Sequence, residues 1–294
     1  MTAILTEPFL KKLKTLSFIT KKYMISRREG RKISRRTGGS IEFADYRKYS
    51  SGDEFRYVDW NIYGRSEKLF VKEFCREEEL LVYFIIDQSL SMSVGEPPKF
   101  FYAQQLAAAL SFIGLTTDSR VKIAYFHDTQ LNISPDFFGG RSIYKVLETL
   151  EKSAPVGATR IADTLSRFLR TARQKGLVVI ISDLLDEVDS HKQIAELAAR
   201  GFDAAIIHTL APEELNPAVS GQVRLYDIET NQMKQIYITE KELDMYRKEM
   251  ETLCEKWRQF CLRHHTRYYQ AVTNESVEAF TIRFLRQGGL VRQH

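Results

Sequence analysis

Seven consecutive apolar residues, Leu80 to Ile86, stop abruptly at Asp87. A run of this length without polar alternation reads as a strand buried on both faces. Such strands belong inside parallel sheets, where helices cover both sides. Leu177 to Ile181 repeats the pattern and ends in Ser182-Asp183. After the first run, one carboxylate and two hydroxyls, Asp87, Ser89 and Ser91, fall on the loop leaving the carboxyl end of a strand. Open α/β sheets bind their ligands at that edge.

The intervening pattern alternates. Pro97-Pro98 introduces a helix from Lys99 to Leu115, and a strand follows from Arg120 to Phe126 with a short edge strand from Gln130 to Ser134. Helices are predicted over Ser142 to Lys152 and Arg160 to Gln174, the second ended by Gly176. After the Leu177 strand come a helix from Ser190 to Arg200 and a strand from Ala204 to His208. A hairpin insert at about 212–238 carries Val223 to Asp227 and Gln235 to Ile238 around the turn Glu229-Thr230-Asn231. A long helix from Glu240 to His264, a strand from Arg267 to Val272 and a helix from Ser276 to Arg286 close the chain. Repeated strand–helix alternation predicts an α/β fold over 78–290 with a doubly wound, mainly parallel sheet.

Residues 1–77 form a different N-terminal part. Of the chain's charges, residues 1–48 hold 13 Lys or Arg against 4 Asp or Glu, whereas the remainder holds 30 against 34. The basic character is therefore an arm or patch and not a property of the whole fold. Leu5, Phe9, Leu13 and Leu16 recur at helical spacing within 4–25, with Lys11, Lys12 and Lys14 between them. The favoured reading packs that apolar stripe on the main domain and leaves the lysines in water. Lipid, nucleic acid or an acidic protein are the alternative partners of this arm and of the tract Arg27 to Arg36 before Gly38-Gly39. Residues 41–76 are dense in aromatics and charges. There Asp59 is expected to pair with Arg56 or Arg65, with Trp60 as the apolar anchor.

Cys75, Cys254 and Cys261 give neither a disulfide framework nor a zinc spacing, and Cys254 and Cys261 share one helix face as buried apolar residues. No apolar run approaches the ~20 residues that cross a bilayer, and the first residues lack the pattern of a secretory signal. The expected location is the cytoplasm. His264-His265 reads as a helix end and His127-Asp128 as a turn near the site.

Three loops then carry the chemistry: Asp87, Ser89 and Ser91 on one, Thr159 on a Gly-containing loop entering a helix, and Asp183 on a third. Two carboxylates and three hydroxyls suit Mg²⁺ or Mn²⁺. Asp183, as a loop ligand, is expected to contribute little to folding, and Thr159 is expected to double as a helix cap.

Asp87-Gln-Ser89-Leu-Ser91, Gly157-Ala-Thr159 and Ile-Ser-Asp183 resemble the three segments of a metal-ion-dependent adhesion site in von Willebrand factor type A domains. Ile-Glu-Phe-Ala-Asp-Tyr-Arg-Lys-Tyr, Ser-Gly-Asp, Val-Asp-Trp-Asn and Phe-Val-Lys-Glu-Phe, between Gly39 and Glu73, resemble a bacterial domain-of-unknown-function family, the fifty-eighth, whose members accompany MoxR-type AAA+ ATPases. The resemblance implies a von Willebrand factor A-like fold and metal-dependent protein binding, with a partner Asp or Glu completing the ion's ligands. No catalytic residue is assigned, since no Ser–His–acid or Cys–His set accompanies these loops. Ser89 also stands where an aspartyl-phosphate enzyme needs a second Asp. A metal-dependent phosphoester hydrolase at the same site, or a nucleic-acid or lipid binder acting through the basic arm, are the competing readings.

Overall fold

The computed structural model describes residues 5–19, 41–76, 79–186, 190–219, 221–226, 228 and 232–293. The tract Arg27 to Arg36, Gly38-Gly39 and the turn Glu229-Thr230-Asn231 lie outside them. The chain divides into two bodies, one of residues 1–19 with 80–294 and the other of residues 20–79.

In the larger body, the helix Glu7–Leu13 leads into β1 (Leu16–Phe18). The helix is shorter than its 4–25 periodicity predicts, because β1 turns away to pair antiparallel with β12 (Val291–Gln293). Phe9, Leu13, Leu16 and Phe18 are buried in one core with the helix Lys99–Thr116. Lys11, Lys12 and Lys14 stay exposed.

In the smaller body, β2 (Ile41–Lys48) and β3 (Phe70–Arg76) form an antiparallel ribbon, and the helix Trp60–Ser66 lies between them in the chain. Asp59 caps that helix, accepting from Asn61 N at 2.9 Å and Ile62 N at 3.3 Å. Its other oxygen takes Tyr46 Oη at 2.9 Å and Lys72 Nζ at 3.0 Å. These bonds, Lys72 foremost, hold the Asp59 carboxyl down at about 2. The ion-pair partner is thus Lys72 and neither Arg56 nor Arg65; Arg56 pairs with Glu54. Ribbon register explains the choice, since Tyr46 lies opposite Lys72 and cross-strand partners share a face. Trp60 is no anchor. It is 58% exposed and meets Tyr63 edge-on at 6.1 Å.

The central sheet of the larger body uses β4 (Leu81–Asp87), β5 (Arg120–His127), β6 (Gln130–Ile133), β7 (Leu177–Ser182), β8 (Asp203–Leu210) and β11 (Arg267–Val272). Their order is β11-β8-β7-β4-β5-β6, parallel throughout except for the edge strand β6. Every residue of β4, β7 and β8 is buried. Along β4, Val82, Phe84 and Ile86 enter the core with Leu106, Leu110 and Val146. Leu81, Tyr83 and Ile85 enter the opposite core with Leu165, Phe168, Ile194 and Trp257. Each such fully buried side chain contributes roughly 1.5–3 kcal/mol, which is why an unbroken apolar run defines this position. The insert is present as an antiparallel ribbon of β9 (Gly221–Tyr226) and β10 (Met233–Ile238), followed by the helix Glu240–Arg263. Cys254 and Cys261 are buried and free, as their shared helix face implies.

One boundary moved for a clear reason. The helix expected to end at Gly176 is Ile161–Thr171. Gly176 serves a different purpose, because a Cβ there would stand 2.0 Å from the Leu81 carbonyl oxygen. It lets the start of β7 pass close to β4.

Candidate metal centre

From β4 the chain moves outward through β5 and β6, then returns to β7 on the other side of β4. The carboxyl ends of β4 and β7 therefore flank the point where the winding reverses, the usual ligand crevice of an open sheet. Pairing of Ile86 with Ile181 keeps the two strand ends level, so Asp87 and Ser182-Asp183 emerge together.

Asp87 is fully buried. Its Oδ2 accepts from Ser182 Oγ at 2.6 Å and its Oδ1 from the Ser89 backbone N–H at 3.0 Å. Ser89 Oγ lies 3.0 Å from Ser91 Oγ, and Ser91 Oγ donates to Asp183 Oδ2 at 2.8 Å. A continuous hydrogen-bond path thus joins the first loop to the third. Burial, and next the Asp183 charge, push the Asp87 carboxyl up to about 7.

The Thr159 loop is clasped against the first loop. Leu90 N donates to Gly157 O at 2.9 Å, and Val156 N to Gln88 O at 2.6 Å. On its other side, Asp128 N donates to Ala158 O at 2.7 Å while Ala158 N donates to Asp128 Oδ1 at 3.0 Å. Gly157 takes φ +71°, and a Cβ there would stand 2.3 Å from Asp128 Oδ2. His127-Asp128 therefore acts as the turn that fastens this loop. Thr159 is 6% exposed. It does not cap the following helix, whose N-cap residue is Arg160 and whose Ile161 N donates to Asp186 Oδ2 at 2.7 Å.

Three residues beside Asp183 escaped the reading of the sequence. Lys99 Nζ lies 2.7 Å from Asp183 Oδ2 and also bonds Glu214 Oε1. Burial opposes the Lys99 charge, but Asp183 and Glu214 outweigh it and raise the ammonium above the ordinary lysine range. Glu214 is itself tied to Ala211 N at 2.8 Å, and burial raises its carboxyl against the pull of Lys99. His208 Nε2 donates to the Asp183 backbone oxygen at 2.7 Å. Burial lowers His208 to about 4, so the ring is neutral and its Nδ1 accepts from Tyr268 Oη at 2.7 Å. One signal was available: Lys99 is the sole charge between Lys99 and Leu115. Glu214 and His208 left none, because only strand order brings them to Asp183.

Among the described residues no three His, Cys, Asp or Glu side chains gather as an ion-holding group. The centre has two carboxylates linked through hydroxyls. Oxygen donors of this kind fit a hard divalent cation.

A family model described as "Protein of unknown function DUF58" matches residues 45–259. The chain belongs to the DUF58 family. Uncharacterized proteins of Mycobacterium bovis and Mycobacterium tuberculosis are each 25% identical to this DUF58 chain over 231 residues, 77% of it and 73% of each relative. Among solved structures, BatB from Bacteroides thetaiotaomicron is similar at 14% identity, covering 70% of this chain and 98% of that one with a TM-score of 0.44. The SpRpn10 VWA domain is similar at 17% identity, 45% and 76% coverage and a TM-score of 0.37. The sheet order and its covered faces are those of the von Willebrand factor A-like, doubly wound fold expected for this DUF58 chain. No helix among the described residues is long and apolar enough to cross a membrane.

Proposed function

We propose that this DUF58 chain is a cation-dependent protein-interaction module, with a MoxR-type AAA+ ATPase as its partner in complex assembly or activation. The observation that carries the reading is the hydrogen-bonded path from Asp87 through Ser89 and Ser91 to Asp183 at the winding reversal of the sheet. Asp87, Ser89, Ser91, Thr159 and Asp183 would hold Mg²⁺ or Mn²⁺ there. Once bound, the ion supplies an electrophilic contact for an Asp or Glu side chain of the partner.

The chain's own residues do the rest. The two carboxylates supply charge without solvent competition, because both are fully buried. Ser89 and Ser91 are neutral donors and leave that charge unchanged. The clasp of Asp128 on Ala158 and of Leu90 on Gly157 fixes the Thr159 loop. The family resemblance and the doubly wound fold support the interaction reading, and the reading assigns no catalytic residue. The test is binding of the purified chain to the purified ATPase in Mg²⁺, in EDTA, and with Ser89→Ala. Affinity lost in EDTA and lowered by the substitution supports the reading. Affinity unchanged by both overturns it.

A further inference from the structure

We propose that Lys99, held by Glu214, sets the cation affinity of this centre, acting as a resident positive charge that competes for Asp183. The inference rests on the cation-dependent reading above and names the residue that tunes it.

Lys99 is 0% exposed, at the first position of the helix Lys99–Thr116. An ammonium so placed is tolerated only when paired and hydrogen-bonded. Its 2.7 Å contact falls on Asp183 Oδ2, the oxygen that also accepts from Ser91 at 2.8 Å. The other oxygen, Oδ1, accepts from Leu185 N at 3.2 Å. Both Asp183 oxygens are thus engaged by the chain's own donors, and a cation arriving there meets Lys99 first.

Glu214 makes that competition adjustable. An ammonium has three donors on a flexible stem, so Lys99 can keep its bond to Glu214 while giving up Asp183 Oδ2. Glu214 is fixed for this by its bond from Ala211 N. No bare buried ammonium results from the exchange. Charge points the same way. Asp87, Asp183 and Glu214, when ionised, together with Lys99 carry a net −2, which a divalent ion neutralises. Without Lys99 the same groups carry −3. At spacings of a few ångströms, one unit charge changes cation affinity at least about tenfold even under strong screening. A lysine serving only to pack the helix start would leave affinity unmoved.

The experiment is calorimetric titration of the full chain with MnCl₂, comparing wild type, Lys99→Met, Glu214→Gln and the double variant. We expect Lys99→Met to bind at least about tenfold more tightly and Glu214→Gln to bind more weakly. The double variant, again at −2, should return near wild type. Equal or weaker binding by Lys99→Met, when wild type binds, overturns the proposal and leaves the cation-dependent reading intact. Binding by Lys99→Met alone supports the proposal and removes that reading for the wild-type chain. Absence of binding in all four overturns both. Should Lys99→Met not fold, Glu214→Gln decides: weaker binding supports the proposal, and unchanged or tighter binding overturns it.

Discussion

Lys99 Nζ lies 2.7 Å from Asp183 Oδ2, and neither side chain is exposed. That contact changes what Asp183 is for. As a loop ligand it would matter to stability only when a cation is present. As half of a buried ion pair it also supports the fold, because without it Lys99 keeps Glu214 as its counter-charge but loses one of its two buried carboxylate partners.

Asp183→Ala is therefore expected to lose about 1–3 kcal/mol of unfolding free energy in EDTA. Urea denaturation measures it. A loss below about 1 kcal/mol would show that Lys99 finds full compensation in Glu214, and that Asp183 matters only as a ligand.

Ser89→Ala behaves differently. It deletes one hydroxyl, bonded to Ser91 at 3.0 Å, and spares both carboxylates. The expected stability cost is about 1 kcal/mol. Mn²⁺ affinity, read by titration calorimetry, should fall by more than stability explains. An unchanged affinity would remove Ser89 from the ligand set.

Two buried groups give opposite pH dependences in EDTA. Asp87 is raised from 3.8 to about 7, so its contribution is complete below about 4 and lost as pH rises through about 7. His208 is lowered from 6.5 to about 4, so its contribution is complete above 6.5 and lost as pH falls through about 4. In wild type the two offset each other across that window. Asp87→Asn should leave stability climbing from pH 4 to 6.5, and His208→Gln should leave it falling from pH 4 to 7. Melting temperatures at pH 4.5, 5.5 and 6.5, chosen as roughly spaced points in the window, separate the slopes. Parallel profiles for the two variants would show that neither group titrates as placed.

Gly157→Ala should damage the clasp of the Thr159 loop. Its φ of +71° and the 2.3 Å approach to Asp128 Oδ2 leave no room for a Cβ. Conformational strain alone costs about 1–2 kcal/mol, and displacement of Asp128 adds to it. Hydrogen exchange at Asp128 and Ala158 should quicken relative to the core strands. Unchanged protection there would mean that the loop absorbs the methyl group elsewhere.

The amino-acid sequence by itself determined the sheet and the edge at which Asp87 and Asp183 emerge. Leu80 to Ile86 and Leu177 to Ile181 have no polar alternation, so both strands had to lie between two layers of helices. The loops after them had to carry Asp87, Ser89, Ser91 and Asp183 to one edge. These are local patterns, with periods of two or three to four residues, and they survive in a one-dimensional reading. Tertiary structure alone decided who stands beside whom. Lys99 reaches Asp183 from 84 residues before it, and Glu214 reaches Lys99 from 115 residues after it, through bonds that no periodicity encodes. Lys72 displaced Arg56 and Arg65 as the partner of Asp59 because ribbon register set it opposite Tyr46. Asp186, from the loop after β7, takes the helix-start N–H of Ile161 that Thr159 was expected to cap. An apolar residue needs only a buried face, which spacing along the chain announces. A buried charge needs one particular partner at about 3 Å, and strand order and register choose it.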